Sequence, residues 1–206
     1  MKIFNLIFLS LFTFSCTNNI CSDKPISGFA YVDMKKEMSL SQLNEIRQIH
    51  INAELDRMAE IAEYDSNKHS VQLKIYTSFG NTENDKLFFL EKSDAEWSAK
   101  EIRYQLDVSA MQDSIYIRIN AIKNLTPRIS WEAFYDSLKN SNIFKLSGDS
   151  TLEGYERSMG KVDGVSVIFK EKSNRKSYSY TEIMSNKKFK EVEAFDRVLN
   201  FIDSIF

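Results

Sequence analysis

VQLKIYTSF, residues 71–79, sets Val71, Leu73, Ile75 and Phe79 against Gln72, Lys74 and Tyr76. A period of two sends alternate side chains to opposite faces, which is the pattern of a strand with one covered face. The pattern recurs down the chain. KLFFLEK (86–92) follows a turn-like stretch at residues 80–85. EIRYQLDV (101–108) alternates Ile102, Tyr104, Leu106 and Val108 with Arg103, Gln105 and Asp107. SIYIRINAI (114–122) alternates Ile115, Ile117 and Ile119 with Tyr116, Arg118 and Asn120. Connections this short join antiparallel neighbours, because a parallel pair needs a longer crossover.

Helical spacing flanks these strands. From Ser39 to about Tyr64, Leu40, Leu43, Ile46, Ile49, Ala53, Met58 and Ile61 form an apolar stripe, with Ser39 or Ser41 as N-cap. A second helix is expected after Thr126-Pro127, a cap followed by proline at the first helical position, with Trp131, Phe134, Tyr135 and Leu138 inward. VSVIFKEK (165–172) and KSYSYTEI (176–183) read as a hairpin, entered through Asp163-Gly164. A last helix over about residues 188–205 carries Phe189, Val192, Phe195, Val198, Leu199 and Ile202. Between them, polar residues 147–161 have no period and form the longest candidate functional loop. The order α-β-β-β-β-α-β-β-α predicts an α+β domain over residues 31–206, an antiparallel sheet with helices packed on one face.

The N-terminus carries a different signal. Lys2 precedes an apolar run from Ile3 to Phe14, broken by Asn5 and Ser10, and Ser15 then stands before Cys16. The run has the length of a signal-peptide core and falls short of the roughly 20 residues that span a bilayer. The segment resembles the type II lipoprotein signals of Gram-negative bacteria, in the looser form seen in Bacteroidota. Thr13 and Phe14 stand where the usual pattern has an aliphatic and a small residue. Residues 1–15 are then the signal peptide, Cys16 the lipidated residue, and residues 16–30 a polar tether. Thr17 follows the cysteine in place of the inner-membrane retention aspartate, and no acidic export cluster follows. The resemblance therefore implies an outer-membrane anchor facing the periplasm.

Composition excludes several classes. Removing residues 1–15 takes away Lys2 and no acid, so the net charge of −2 becomes −3, which gives no footprint for nucleic acid. With Cys16 lipidated, Cys21 has no intrachain partner, so a disulfide framework is excluded. The two histidines, His50 and His69, fit no zinc spacing, and glycine-loop and GxSxG motifs are absent. No cofactor and no metal are expected.

The order of elements from Val71 onward resembles a broad, Bacteroidota-like group of bacterial lipoproteins of unknown function. The residues that carry it are Thr126-Pro127 with Trp131, Phe144-Lys145-Leu146, Val162-Asp163-Gly164-Val165, Tyr178, Tyr180 and the helix from Lys188. The group has no assigned activity, so the resemblance implies the fold and no catalytic residue.

Two candidate sites follow from the residues. Tyr76, Arg103, Tyr116, Arg118, Tyr178 and Tyr180 are expected on a sheet face turned away from the helices. Tyrosine and arginine dominate binding hot spots, so such a face suits an envelope protein partner. The resulting expectation is a lipid-anchored, non-enzymatic binding protein of inhibitor, immunity or accessory type. The alternative is a small envelope hydrolase, with Glu153, Glu156 and Asp163 as an acid/base set.

Overall fold

A computed structural model describes residues 26–31, 40–78, 85–94, 96–108, 114–156 and 164–206. The signal segment, Cys16, Cys21, Phe79 and Asp163 lie outside the described residues. The elements are β1 (Ile26–Tyr31), α1 (Leu40–Met58), β2 (His69–Ser78), β3 (Asp85–Ser93), β4 (Glu96–Val108), β5 (Ser114–Leu125), α2 (Trp131–Asn140), β6 (Gly164–Glu171), β7 (Asn174–Thr181) and α3 (Lys190–Ile205). The strands form one sheet in the order β1-β5-β4-β3-β2-β6-β7, and every neighbouring pair is antiparallel. Among the described residues, no helix is long and apolar enough to cross a membrane.

The strands read from alternation are all present, and β1 is an addition. It overlaps residues 26–30 of the stretch assigned to the tether and extends to Tyr31. ISGFAY lacks a clean alternation, and it becomes a strand through backbone pairing with β5, Gly28 opposite Ile117. Gly28 has a steric role there. A Cβ at this position would stand 2.4 Å from Glu54 Oε1 and 2.8 Å from Met58 Sδ, so glycine lets α1 settle on β1.

Two helix boundaries differ from the sequence reading. α1 stops at Met58 instead of running to about Tyr64. Glu60 takes the left-handed conformation (φ 53°), and its N–H bonds Arg57 O while the Ile61 N–H bonds Asp56 O at 2.8 Å. This closing pattern satisfies carbonyls of the last turn, here without glycine. α2 begins at Trp131, capped by Ser130, whose Oγ accepts the Ala133 N–H at 3.2 Å. Thr126-Pro127 is not the cap. The segment before α2 is held to the end of α3, the Arg128 N–H donating to Ile205 O at 3.0 Å, and the helix starts after it.

The helices lie on both faces. Val71, Leu73 and Ile75 of β2 join Phe88 and Leu90 of β3 in one apolar cluster with Phe134 and Leu138 of α2 and Val192, Phe195 and Val198 of α3. Tyr76 of β2, and Leu87 and Phe89 of β3, belong to a second cluster with Ile51, Leu55 and Met58 of α1. Adjacent strand residues point to opposite faces, so α2 and α3 cover a front face and α1 covers the back. The expected single helical face thus holds for α2 and α3 and fails for α1. β2 and β3 are buried on both sides, and each fully buried aliphatic or aromatic side chain contributes about 1.5–3 kcal/mol.

The two layers are offset. α1 contacts β1 and β5, whereas the front cluster reaches Tyr178 and Tyr180 of β7. Two strips of sheet are left outside both clusters: the front of β4 from Glu101 to Asp107 with the facing residues of β5, and the back of β7.

Candidate functional site

Pairing register assembles the front strip. Glu101 stands opposite Lys123, Arg103 opposite Ala121, Gln105 opposite Arg118, and Asp107 opposite Tyr116. Their neighbours along each strand, Ile102, Tyr104, Ile117 and Ile119, point into the back cluster, which leaves these polar side chains facing forward. Arg103 and Asp107 are exposed, while Tyr116 and Arg118 are half-buried. Arg103 Nε donates to Glu101 Oε1 at 2.7 Å, and Arg118 Nη2 donates to Gln105 Oε1. Arg118 Nε is shielded from solvent and has no hydrogen-bond partner among the described residues.

The strip unites Arg103, Tyr116 and Arg118 of the six expected surface residues and separates the other three. Tyr76 is on the back of β2 beneath α1, where its hydroxyl donates to Asp56 Oδ1 at 2.9 Å. Burial, reinforced by Asp56, pushes its pKa far above the usual tyrosine range. Tyr178 and Tyr180 sit under α3, donating to Ile143 O at 2.8 Å and to Ser147 O at 2.6 Å. Burial pushes Tyr178 up as well, with Tyr180 beside it adding to the effect. Alternation orders side chains within one strand, but it shows neither that Tyr76 falls on the opposite sheet face from Tyr116, Tyr178 and Tyr180 nor which face a helix covers.

The polar loop is stapled down over its described part. Asp149 Oδ2 accepts the Thr181 N–H at 3.0 Å and the Thr181 hydroxyl at 2.9 Å, which occupies the outer edge of β7. Tyr155 donates its hydroxyl to Thr181 O. The Asn186 side chain takes the Glu156 N–H at 3.0 Å and donates to Glu156 O at 2.8 Å. Covering an edge strand prevents its pairing with another chain. Of the three candidate catalytic carboxylates, Glu153 is exposed, Glu156 is paired with Lys188 Nζ at 2.9 Å, and Asp163 lies outside the described residues. Nothing described brings Glu153 and Glu156 together as an acid/base pair.

A cleft of about 290 Å³ lies where α2 meets the β3–β4 and β6–β7 hairpins, lined by Lys92, Trp97, Glu132, Tyr135, Glu171 and neighbouring residues. Its floor is aromatic: Trp97 stacks on Trp131 with centroids 6.2 Å apart, and Tyr135 lies 5.0 Å from Trp97. Trp97 Nε1 donates to Glu132 Oε1 at 3.2 Å, and the Tyr135 hydroxyl donates to Glu171 Oε1 at 2.8 Å. Burial, with the Glu171 hydrogen bond next in size, raises the Tyr135 pKa far above its ordinary value. Both hairpin turns place a non-glycine residue at positive φ, Asp94 at 47° and Lys172 at 51°. Trp97 was invisible as a site residue because it falls between two alternating runs. The only sequence signal for the cleft is a pair of tryptophans, one before a strand and one in a helix.

Among the described residues, no group of three or more His, Cys, Asp and Glu side chains is gathered to hold a metal ion. Compared with known proteins, the chain matches no family, no curated sequence and no solved structure.

Proposed function

We propose that the protein is a non-enzymatic binding module, held at a bacterial outer membrane by lipid on Cys16 and facing the periplasm. It engages an envelope protein partner through the front strip of β4 and β5. The observation that carries this reading is the strip itself. Offset helices leave Arg103, Tyr116 and Arg118 on one uncovered half-sheet. Guanidinium groups pair with a partner's carboxylate or carbonyl, and tyrosine adds contact area at low entropic cost. An inhibitor, an immunity protein or an accessory subunit uses such a face in the same way.

The test is in-cell cross-linking of the full chain at native level, followed by mass spectrometry. Tyr116→Ala combined with Arg118→Ala is expected to abolish capture of a stoichiometric envelope partner, while Glu153→Gln leaves it intact. Capture that survives the double substitution would overturn the strip as the contact. Cys16→Ala is expected to release the protein from the membrane fraction, and unchanged fractionation would remove the lipid anchor from the proposal.

A further inference from the structure

We propose that the tip of the β6–β7 hairpin docks on the anionic headgroups of the membrane that holds the protein. This inference rests on the lipid anchor at Cys16 and is independent of the front strip. The hairpin reads KEKSNRK over residues 170–176, four cations and one acid in a chain of net charge −2. The acid is engaged, because Glu171 Oε1 accepts the Tyr135 hydroxyl. Among the described residues, none of the four cations forms an ion pair. Lys170 stands directly opposite Arg175, a like-charge pairing that costs stability until an anion joins it. Burial holds the Lys170 pKa below its usual range, helped by Arg175 and Lys74 and opposed by Asp56 and Glu63. The turn sets Lys172 at φ 51°, a conformation that asparagine or glycine adopts more easily.

The distribution of these charges selects the partner. Lys170 and Arg175 lie on the back of the hairpin, Lys172 at its tip, and Lys176, opposite Phe169, on the front. One small ion cannot meet all four, whereas a planar array of phosphates met end-on does. Strand direction agrees. Phe169, Leu73, Leu90, Ala99 and Leu125 are paired in one row, so the turn lies at the Leu125 end of β5. β1 starts at Ile26 opposite Ile119 and runs to Tyr31 opposite Ser114, away from that end. The chain therefore enters β1 from the side on which the basic turn projects. Only residues 17–25 separate Cys16 from Ile26, at most about 35 Å of chain. The sheet is about 29 Å wide from β1 to β7, so the anchor holds the turn within reach of the bilayer.

The mature chain, residues 16–206 with Cys16→Ala, would be sedimented at low ionic strength with two kinds of vesicle. One is pure phosphatidylcholine and the other an equimolar mixture with phosphatidylglycerol. Half-binding at about 1 mM anionic lipid is expected, with none to phosphatidylcholine and release at high salt. Lys172→Asn should weaken binding about fivefold while raising the melting temperature, and Lys170→Glu with Arg175→Glu should abolish it. Equal binding to both vesicles, or unchanged binding by these variants, would overturn the proposal. So would competition by about 10 mM phosphate at constant ionic strength, the mark of a single-ion site, or binding to duplex DNA in place of vesicles. This chain carries no lipid, so the result is separate from the anchor itself. Membrane fractionation of Cys16→Ala after a high-salt wash tests that anchor alone.

Discussion

Lys74 Nζ lies 2.5 Å from Asp56 Oδ2, which fastens the back of β2 to the inner side of α1. Lys74 is only 5% exposed, and the Tyr76 hydroxyl shares the same carboxylate at 2.9 Å. This pair explains how a strand whose polar residues look solvent-facing in sequence is buried on both sides. A buried ammonium is tolerated only when a counter-charge and hydrogen bonds replace its water.

Asp56→Ala strands that ammonium. The expected loss is about 3 kcal/mol, at the lower end for a broken buried pair because the Asp56 carboxylate is partly hydrated. Lys74→Met together with Asp56→Leu should recover part of it, since the unpaired charge is gone. Urea unfolding of both variants decides the matter. Equal losses would show that the charge itself carries no penalty.

Alkaline pH should unfold the protein cooperatively. Burial raises the pKa of Tyr76, Tyr104 and Tyr178 above the ordinary 10.0, aided by Asp56, Asp85 and Tyr180 respectively. Below about pH 10 both states keep these protons and the stabilisation is complete; above it only the unfolded chain releases them, so stability falls with rising pH. Each tyrosine contributes a slope of up to about 1.4 kcal/mol per pH unit. Urea midpoints should fall over the range in which tyrosinate absorbance rises, and a flat profile through this range would refute the burial argument.

Gly28→Val should lift α1 from β1. Even a single methyl meets Glu54 Oε1 at 2.4 Å and Met58 Sδ at 2.8 Å, the ends of two flexible side chains that can swing aside for alanine more readily than for valine. Alanine is expected to be tolerated better than valine, which should cost about 1–3 kcal/mol as overpacking. Thermal melts of both variants test this, with wild-type melting of Gly28→Val as the contrary result.

Asp149→Ala should free the outer edge of β7. The carboxylate is 6% exposed and takes two hydrogen bonds from Thr181, so its loss leaves a buried donor unsatisfied at about 1–3 kcal/mol. Faster amide exchange at Thr181 and concentration-dependent self-association are the expected readouts. Unchanged exchange at Thr181 would show that the loop does not guard the edge.

The presence of β2 to β7 was legible because alternation depends on neighbours in sequence, whereas β1 and the first residues of β4 were not. Ile115, Ile117 and Ile119 announce β5 by alternation, and Phe195, Val198 and Ile202 announce α3 by helical spacing. The candidate surface was half legible for the same reason. Arg103, Tyr116 and Arg118 share a face in sequence and in space, but Tyr178 and Tyr180 share theirs with α3.

By itself, then, the sequence determined the order of the main elements, their antiparallel pairing and the residues that move together on each face. Only the tertiary structure decided which face each helix covers, that Ile26–Tyr31 closes the sheet as β1, and that Trp97, Tyr135 and Glu171 meet in one cleft. The physical reason is range. Alternation and capping are set by bonds within a few residues, whereas the choice of face rests on contacts between distant segments, such as Asp56 with Lys74 and Tyr135 with Glu171. Local pattern encodes that a face can be buried, and the partner that buries it is fixed only when the whole chain packs.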